Sequence, residues 1–84
     1  MTENLTMTTN EALKWIAELF EEPPENVTPE TQRDDIAAWD SLGVLTLMAA
    51  LDEKFDIVLT EQEIRGMKKV DDILEILRKN SKLS

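Results

Sequence analysis

Residues 39–55 read WDSLGVLTLMAALDEKF and give the clearest indication of the fold. Asp40 suits the N-cap position of a helix, because a carboxylate there accepts hydrogen bonds from free backbone amides. The apolar side chains that follow recur at helical spacing, so we predict a helix from about Ser41 to Phe55. Its core stripe is Val44, Leu47, Met48, Leu51 and Phe55, and a second apolar row on its flank is Leu42, Leu45 and Ala49.

A first helix is predicted before this segment. Thr8 and Glu11 form a capping box that opens it, and residues 1–7 are polar and expected to form a frayed tail. The helix must stop before Pro23, because proline lacks a backbone donor and restricts the residue that precedes it. Its core face comprises Leu13, Ile16, Ala17 and Phe20, with Trp15 beside that face.

A long loop over residues 22–35 follows, and two more helices complete the chain. Thr60 opens a short helix by a second capping box, and Gly66 is expected to end it. The last helix runs from about Val70 to Asn80, with acidic residues in its first turn and basic residues in its last. The loop and the last two helices are expected to add these core contacts: Val27 and Ile36 from the loop, Ile64, and Val70, Ile73, Leu74 and Leu77.

Length and composition restrict the class of protein. The chain has 84 residues, which suits one small domain, and the pattern predicts an all-α fold: a bundle of three longer helices and one short helix. Eighteen acidic against nine basic residues give a net charge of −9, which disfavours nucleic acid and favours partners with basic patches. No segment suggests a signal peptide or a bilayer span, so we expect a cytoplasmic monomer.

Catalysis by the bare polypeptide is not expected. The chain contains no histidine and no cysteine, and Asp40 is the only ionisable group placed near Ser41. A serine nucleophile needs a base close by. The carboxylates of Asp52, Glu53 and Asp56 suit a solvated helix end, and we predict no metal site. Three interpretations of Ser41 remain: a point of covalent attachment, a residue of an unmodified acidic adaptor, or a hydrolase nucleophile.

Residues 39–56 closely resemble the serine-bearing segment of acyl carrier proteins. Asp40-Ser41-Leu42 matches the attachment triplet of that family, and the Leu-x-x-Ala-Leu-x-x-x-Phe-Asp run from Leu47 to Asp56 also resembles theirs. The resemblance implies a 4′-phosphopantetheine arm on Ser41, flanked by Asp40 and Leu42. A phosphopantetheinyl transferase would install the arm from coenzyme A. Its thiol would then hold acyl groups as thioesters and deliver them between biosynthetic enzymes.

The resemblance also implies surfaces for partners and cargo. The flank row of Leu42, Leu45 and Ala49 would dock the transferase and the acyl-loading and acyl-processing enzymes, while Asp52 and Glu53 would meet their basic residues. The alternative is that Leu42, Leu45 and Ala49 have no docking role and only widen the core stripe of the helix. Met48, Leu51 and Ile64 could line a space for the acyl chain, although residues of these types are more often plain core.

The chain also departs from the fatty-acid-synthesis carriers of the family. Gly43, Thr46 and Lys54 stand where those carriers have acidic residues, and the Trp-Asp-Ser-Leu-Gly form is more similar to carriers of specialised pathways. We therefore expect a role in fatty-acid, lipid or polyketide-type biosynthesis other than the housekeeping one. A peptidyl or aminoacyl carrier is the alternative within the carrier class.

Overall fold

The computed structural model describes residues 6–83 and contains four α-helices within that range. They are α1 (Thr9–Leu19), α2 (Ser41–Phe55), α3 (Glu61–Gly66) and α4 (Val70–Lys79). The predicted all-α bundle of three longer helices and one short helix is confirmed. Within residues 6–83, no helix is long and apolar enough to cross a bilayer.

The helices begin where the capping residues predicted. Thr8 and Thr60 each accept a hydrogen bond from the backbone amide three residues later, and Glu11 and Glu63 complete the two capping boxes. Asp40 caps α2, since its Oδ1 accepts from the Gly43 amide at 2.9 Å. At the start of α4 the Asp72 carboxylate accepts from the Lys68 and Lys69 amides, so local side chains contribute to all four helix starts described.

The helices end at or close to the predicted residues, and the structure shows how each end is closed. α1 stops at Leu19, well before Pro23, and Glu21 follows in the left-handed conformation with φ 56°. The Glu22 amide then donates to the Ala17 carbonyl at 2.8 Å, which closes the helix end. α3 ends at Gly66 as predicted, but without the left-handed glycine conformation that often follows a helix. Gly66 is the last residue of α3 itself, with no positive φ, because the chain leaves through the extended residue Met67.

The core is built mainly from aliphatic side chains of α1, α2 and α4. Val27 and Ile36 from the loop are both buried in it, as predicted. Trp15 covers a flank and meets Phe55 edge-on, with ring centroids 5.5 Å apart. The fully enclosed larger side chains include Ile16, Leu47, Leu51, Val70, Ile73, Leu74 and Leu77.

The segment over residues 22–35 is ordered by hydrogen bonds to the start of α4. It contains two 3-10 turns, Pro24–Asn26 and Arg33–Asp35. The Val70 amide donates to the Thr31 carbonyl at 2.8 Å, and the Asp71 amide donates to the Pro29 carbonyl at 2.9 Å. Because the first amides of a helix lack partners inside it, the loop supplies their acceptors and is itself held in place.

The start of the described chain contacts its end. The Met7 amide donates to the Lys82 carbonyl at 2.9 Å, and Met7 pairs with Leu83 in an isolated parallel bridge. Both side chains pack against the core. The predicted frayed tail is therefore wrong at Met7, while residues 1–5 of that tail lie outside the described residues.

An ion pair joins α3 to α4. The Lys79 ammonium donates to Glu63 Oε2 at 2.7 Å, and the Thr60 amide donates to Glu63 Oε1 at 2.9 Å. Both hydrogen bonds lower the pKa of Glu63 below its ordinary 4.5, and the one from Lys79 has the larger effect. Glu63 thus stabilises the fold fully above pH 4.5, and this contribution is lost as the pH falls through the lowered folded-state pKa.

We expect Glu63→Gln to cost about 1 kcal/mol or less at neutral pH, because glutamine keeps the capping box but loses the charge that pairs with Lys79. The free energies of unfolding of the two proteins should converge as the pH falls below 4.5. Urea unfolding at several pH values measures this difference. A gap that stays constant down to acid pH would contradict the assignment, and Lys79→Met should reproduce the neutral-pH loss.

Candidate functional site

Ser41 is the first residue of α2, and its side chain is exposed. Within residues 6–83 its hydroxyl has no hydrogen-bond partner. The backbone amides of Ser41 and Leu42 also lack an internal acceptor, as expected for the first residues of a helix. The site therefore combines a free hydroxyl, two free amides and the positive end of the α2 dipole, an environment that favours an anion.

Gly43 lets the preceding segment approach the first turn of α2 very closely. A Cβ built at this buried residue would lie 1.9 Å from the Ala38 carbonyl oxygen and 3.5 Å from the Phe20 ring. Real side chains do not tolerate such a contact with backbone. The absent side chain thus allows residues 38–40 to pass over the helix start and to present Asp40 as its cap.

Phe20 and Arg33 contact Trp39 and so hold the segment over residues 38–40 in place. The Trp39 ring is 2% exposed and stacks on Phe20 with centroids 5.3 Å apart. Arg33 Nε donates to the Trp39 carbonyl at 3.0 Å, which ties the loop to the residue before the cap. Trp39 Nε1 is buried without an acceptor inside the described chain. The backbone that carries Ser41 is thus held by packing and by one charged hydrogen bond.

The predicted flank row of α2 faces solvent. Leu42 is 71% exposed and Leu45 is 60% exposed, and Ala49 is also exposed. The alternative that this row widens the core is therefore wrong for its two leucines. Asp52 and Glu53 are exposed further along the same helix. All of these residues are accessible, and their role in docking stays a prediction.

Val58 extends this apolar surface and was missed from the sequence. It is 77% exposed, between the buried Ile57 and Leu59. The signal was present, because an in-out-in alternation is typical of an extended segment whose middle residue faces solvent. Val58 lines a cavity of about 220 Å³ together with Ala49 and Asp52.

The three candidates for an acyl-chain space lie in different environments. Leu51 is fully buried, whereas Met48 and Ile64 are half-buried and pack against the core. Met48 lines the cavity that Val58 also lines, and neither Leu51 nor Ile64 does so. The residues thus do not share that cavity, and their part in holding cargo stays a prediction.

Sequence similarity to acyl carrier proteins shows the family of this chain. The acyl carrier protein of Syntrophobacter fumaroxidans is 38% identical over 56 residues, which cover 67% of this chain and 69% of that protein. The acyl carrier protein of Desulforapulum autotrophicum is 35% identical over 57 residues, or 68% of this chain and 74% of that protein. The chain belongs to the acyl carrier protein family.

A specialised relative is also similar to this carrier. The meromycolate extension acyl carrier protein of Mycobacterium leprae is 25% identical over 79 residues, which cover 89% of this chain and 69% of that protein. None of the protein-family models matches the chain. The general role of the protein is therefore that of an acyl carrier, in agreement with the resemblance of residues 39–56.

Proposed function

We propose that Ser41 carries a covalent 4′-phosphopantetheine arm and that the protein delivers acyl groups on it as thioesters. One observation supports this above all: the Ser41 hydroxyl is exposed, unpartnered within the described chain and placed at the start of α2. Another protein's active site can reach it. The chain has no histidine and no cysteine of its own, so the working thiol comes from the arm.

The residues present fit the phosphate of such an arm. A phosphodiester on Ser41 lies beside the free amides of Ser41 and Leu42 and the positive end of the helix dipole. Attachment joins the serine oxygen to the pantetheine phosphate of coenzyme A and releases the nucleotide portion. The serine proton leaves through a base of the transferase. Asp40 stays the cap of α2 and keeps the helix start in place.

The partners we propose are a phosphopantetheinyl transferase and acyl-loading or acyl-processing enzymes. Leu42, Leu45 and Ala49 form an exposed apolar strip that begins beside Ser41, and Val58 continues it. Asp52 and Glu53 supply negative charge at its far end. A partner with an apolar contact and a basic rim fits this surface, and charge then speeds its approach.

The pathway we propose is a specialised one within fatty-acid, lipid or polyketide-type biosynthesis. Fatty-acid-synthesis carriers have acidic residues at the positions of Gly43 and Thr46 in this chain. Here the acidic residues of α2 are Asp52 and Glu53, near its end. The similarity to a carrier named for meromycolate extension supports a dedicated role. An aminoacyl or peptidyl cargo is the alternative, and mass analysis of the thioester separates the two.

Incubation with a broad-specificity transferase, coenzyme A and magnesium tests the attachment. We expect intact-mass analysis to show a gain of one phosphopantetheine unit, and Ser41→Ala should show none. No gain of mass in the protein that retains Ser41, or a gain that persists in the Ser41→Ala variant, contradicts the proposal. A serine-reactive phosphonate should leave Ser41 unlabelled, because nothing in the described site activates the hydroxyl.

We expect Leu45→Ala to lower kcat/KM for arm transfer about tenfold, because a central apolar contact of an interface contributes more than about 1 kcal/mol. The free energy of unfolding should change by less than about 0.5 kcal/mol, because Leu45 is exposed. The exposed Gln62→Ala on α3 serves as the control and should leave transfer unchanged. Equal rates for the three proteins would exclude Leu45 from the docking surface.

A further inference from the structure

A cleft opens between the end of α1 and the first turns of α2. Its volume is about 350 Å³, which is at the lower end of the range for small-molecule sites. Leu19 and Glu21 line one side, and Asp40, Leu42 and Thr46 line the other. Asp40 and Leu42 are the two chain neighbours of Ser41, so the cleft lies next to the residue of the proposed attachment, although Ser41 itself does not line it.

The polar groups of this cleft are mainly acceptors. Asp40 uses Oδ1 for the Gly43 amide, which leaves its second carboxylate oxygen without a bond in the described chain. Thr46 donates its hydroxyl proton to the Leu42 carbonyl at 3.2 Å, so its oxygen can still accept. Glu21 forms no ion pair within residues 6–83, and no lysine or arginine lines the cleft. A ligand suited to it carries N–H or O–H donors on an apolar frame.

We propose that this cleft receives the pantetheine arm, and in particular the part next to the phosphate. The inference rests on the proposed attachment at Ser41 and adds where the arm lies. That part of the arm carries two geminal methyl groups, a hydroxyl and an amide N–H. The methyl groups match Leu19 and Leu42, and the donors match the oxygens of Asp40 and Thr46.

The other cavities are less suited to this part of the arm. The cavity beside Met48 lies seven residues further along α2, about 10 Å from Ser41 by the helical rise. A larger cavity of about 450 Å³ lies between α1 and the Pro24–Asn26 turn, and no residue of α2 lines it. Neither of these cavities is lined by a chain neighbour of Ser41, whereas Asp40 and Leu42 both line the cleft.

Nuclear Overhauser contacts in the fully modified protein test the proposal, with an isotope-labelled arm. We expect contacts from the geminal methyl groups to the methyl groups of Leu19, Leu42 and Thr46. Thr46→Phe, at an exposed position, fills the cleft and should abolish the contacts to Leu19. Asn10→Phe fills the larger cavity at α1 instead and should preserve them.

Each outcome decides the proposal. Contacts from these methyl groups to Met48 and Val58 alone, or none in protein whose intact mass shows the arm, overturn the cleft assignment and leave the attachment standing. Contacts to Leu19 that survive Thr46→Phe also overturn it. A protein that gains no mass overturns the attachment and the cleft together. Circular dichroism of both phenylalanine variants verifies that they fold.

Discussion

Gly43→Ala is expected to destabilise the protein by about 2 kcal/mol, although alanine is the better helix former. The new Cβ would lie 1.9 Å from the Ala38 carbonyl oxygen, a backbone atom that cannot move without shifting the cap at Asp40. Overpacking of this severity costs about 3 kcal/mol, and the helix propensity of alanine returns about 1 kcal/mol. Thermal unfolding should show a fall in Tm of about 10 °C.

Gly66→Ala is the matched control for this prediction. Gly66 is also in a helix, but its added Cβ would meet nothing within 4 Å, and its φ is not positive. It should stabilise the protein by up to about 1 kcal/mol, since only the propensity term acts. Equal and favourable effects at both glycines would show that residues 38–40 do not pass over α2 as closely as described.

Trp39→Ala is expected to cost about 3–5 kcal/mol, because it removes a fully buried aromatic ring and its stack on Phe20. A small domain has little more stability than this, so the variant should be largely unfolded in chemical-denaturant titrations. Because Trp39 precedes the cap of α2, arm transfer to Ser41 should fall in parallel with the folded fraction.

Trp39→Phe separates the ring from its N–H group. Phenylalanine keeps the stack and deletes the buried donor that lacks an acceptor, so we expect a cost of only about 1–2 kcal/mol. The half-buried Trp15→Ala is the control for loss of an indole and should also cost about 1–2 kcal/mol. A Trp39→Ala cost as small as that of Trp15→Ala would contradict the description of Trp39 as a central core residue.

The helix starts were predictable from the sequence, and the ends of α2 and α4 were predictable to within one residue, whereas the backbone conformation at most ends was not. Thr8, Asp40 and Thr60 cap through their own side chains, which is a local effect visible in the sequence. At the other ends, Glu21 and Asp56 take left-handed conformations that are usually associated with glycine. Glutamate gives no signal for this conformation in a sequence, whereas aspartate is one of the non-glycine residues that are enriched in it.

The candidate site was also predictable only in part. Helical periodicity separated the exposed Leu42 and Leu45 from the core stripe, and the capping rule placed Ser41 in the first turn of α2. The close approach at Gly43 and the hydrogen bond from Arg33 to the Trp39 carbonyl depend on how the loop folds back on the helix. Such contacts between distant segments cannot be deduced from spacing alone.

The backbone around Ser41 is held by three contacts, whereas its side chain is free within the described chain. Packing of Trp39, the approach at Gly43 and the bond from Arg33 hold the backbone in place, while the serine side chain remains free. A firmly held backbone and an accessible hydroxyl together suit a point at which another enzyme attaches a group.

Peptide mapping of the protein isolated from its natural source would show whether Ser41 carries the arm in the cell. We expect one phosphopantetheine group, with or without an acyl thioester, on the peptide that contains Ser41, and fragmentation should place it on that residue. A preparation in which every copy is unmodified, or in which the group lies on another residue such as Thr46, would exclude Ser41 as the attachment point.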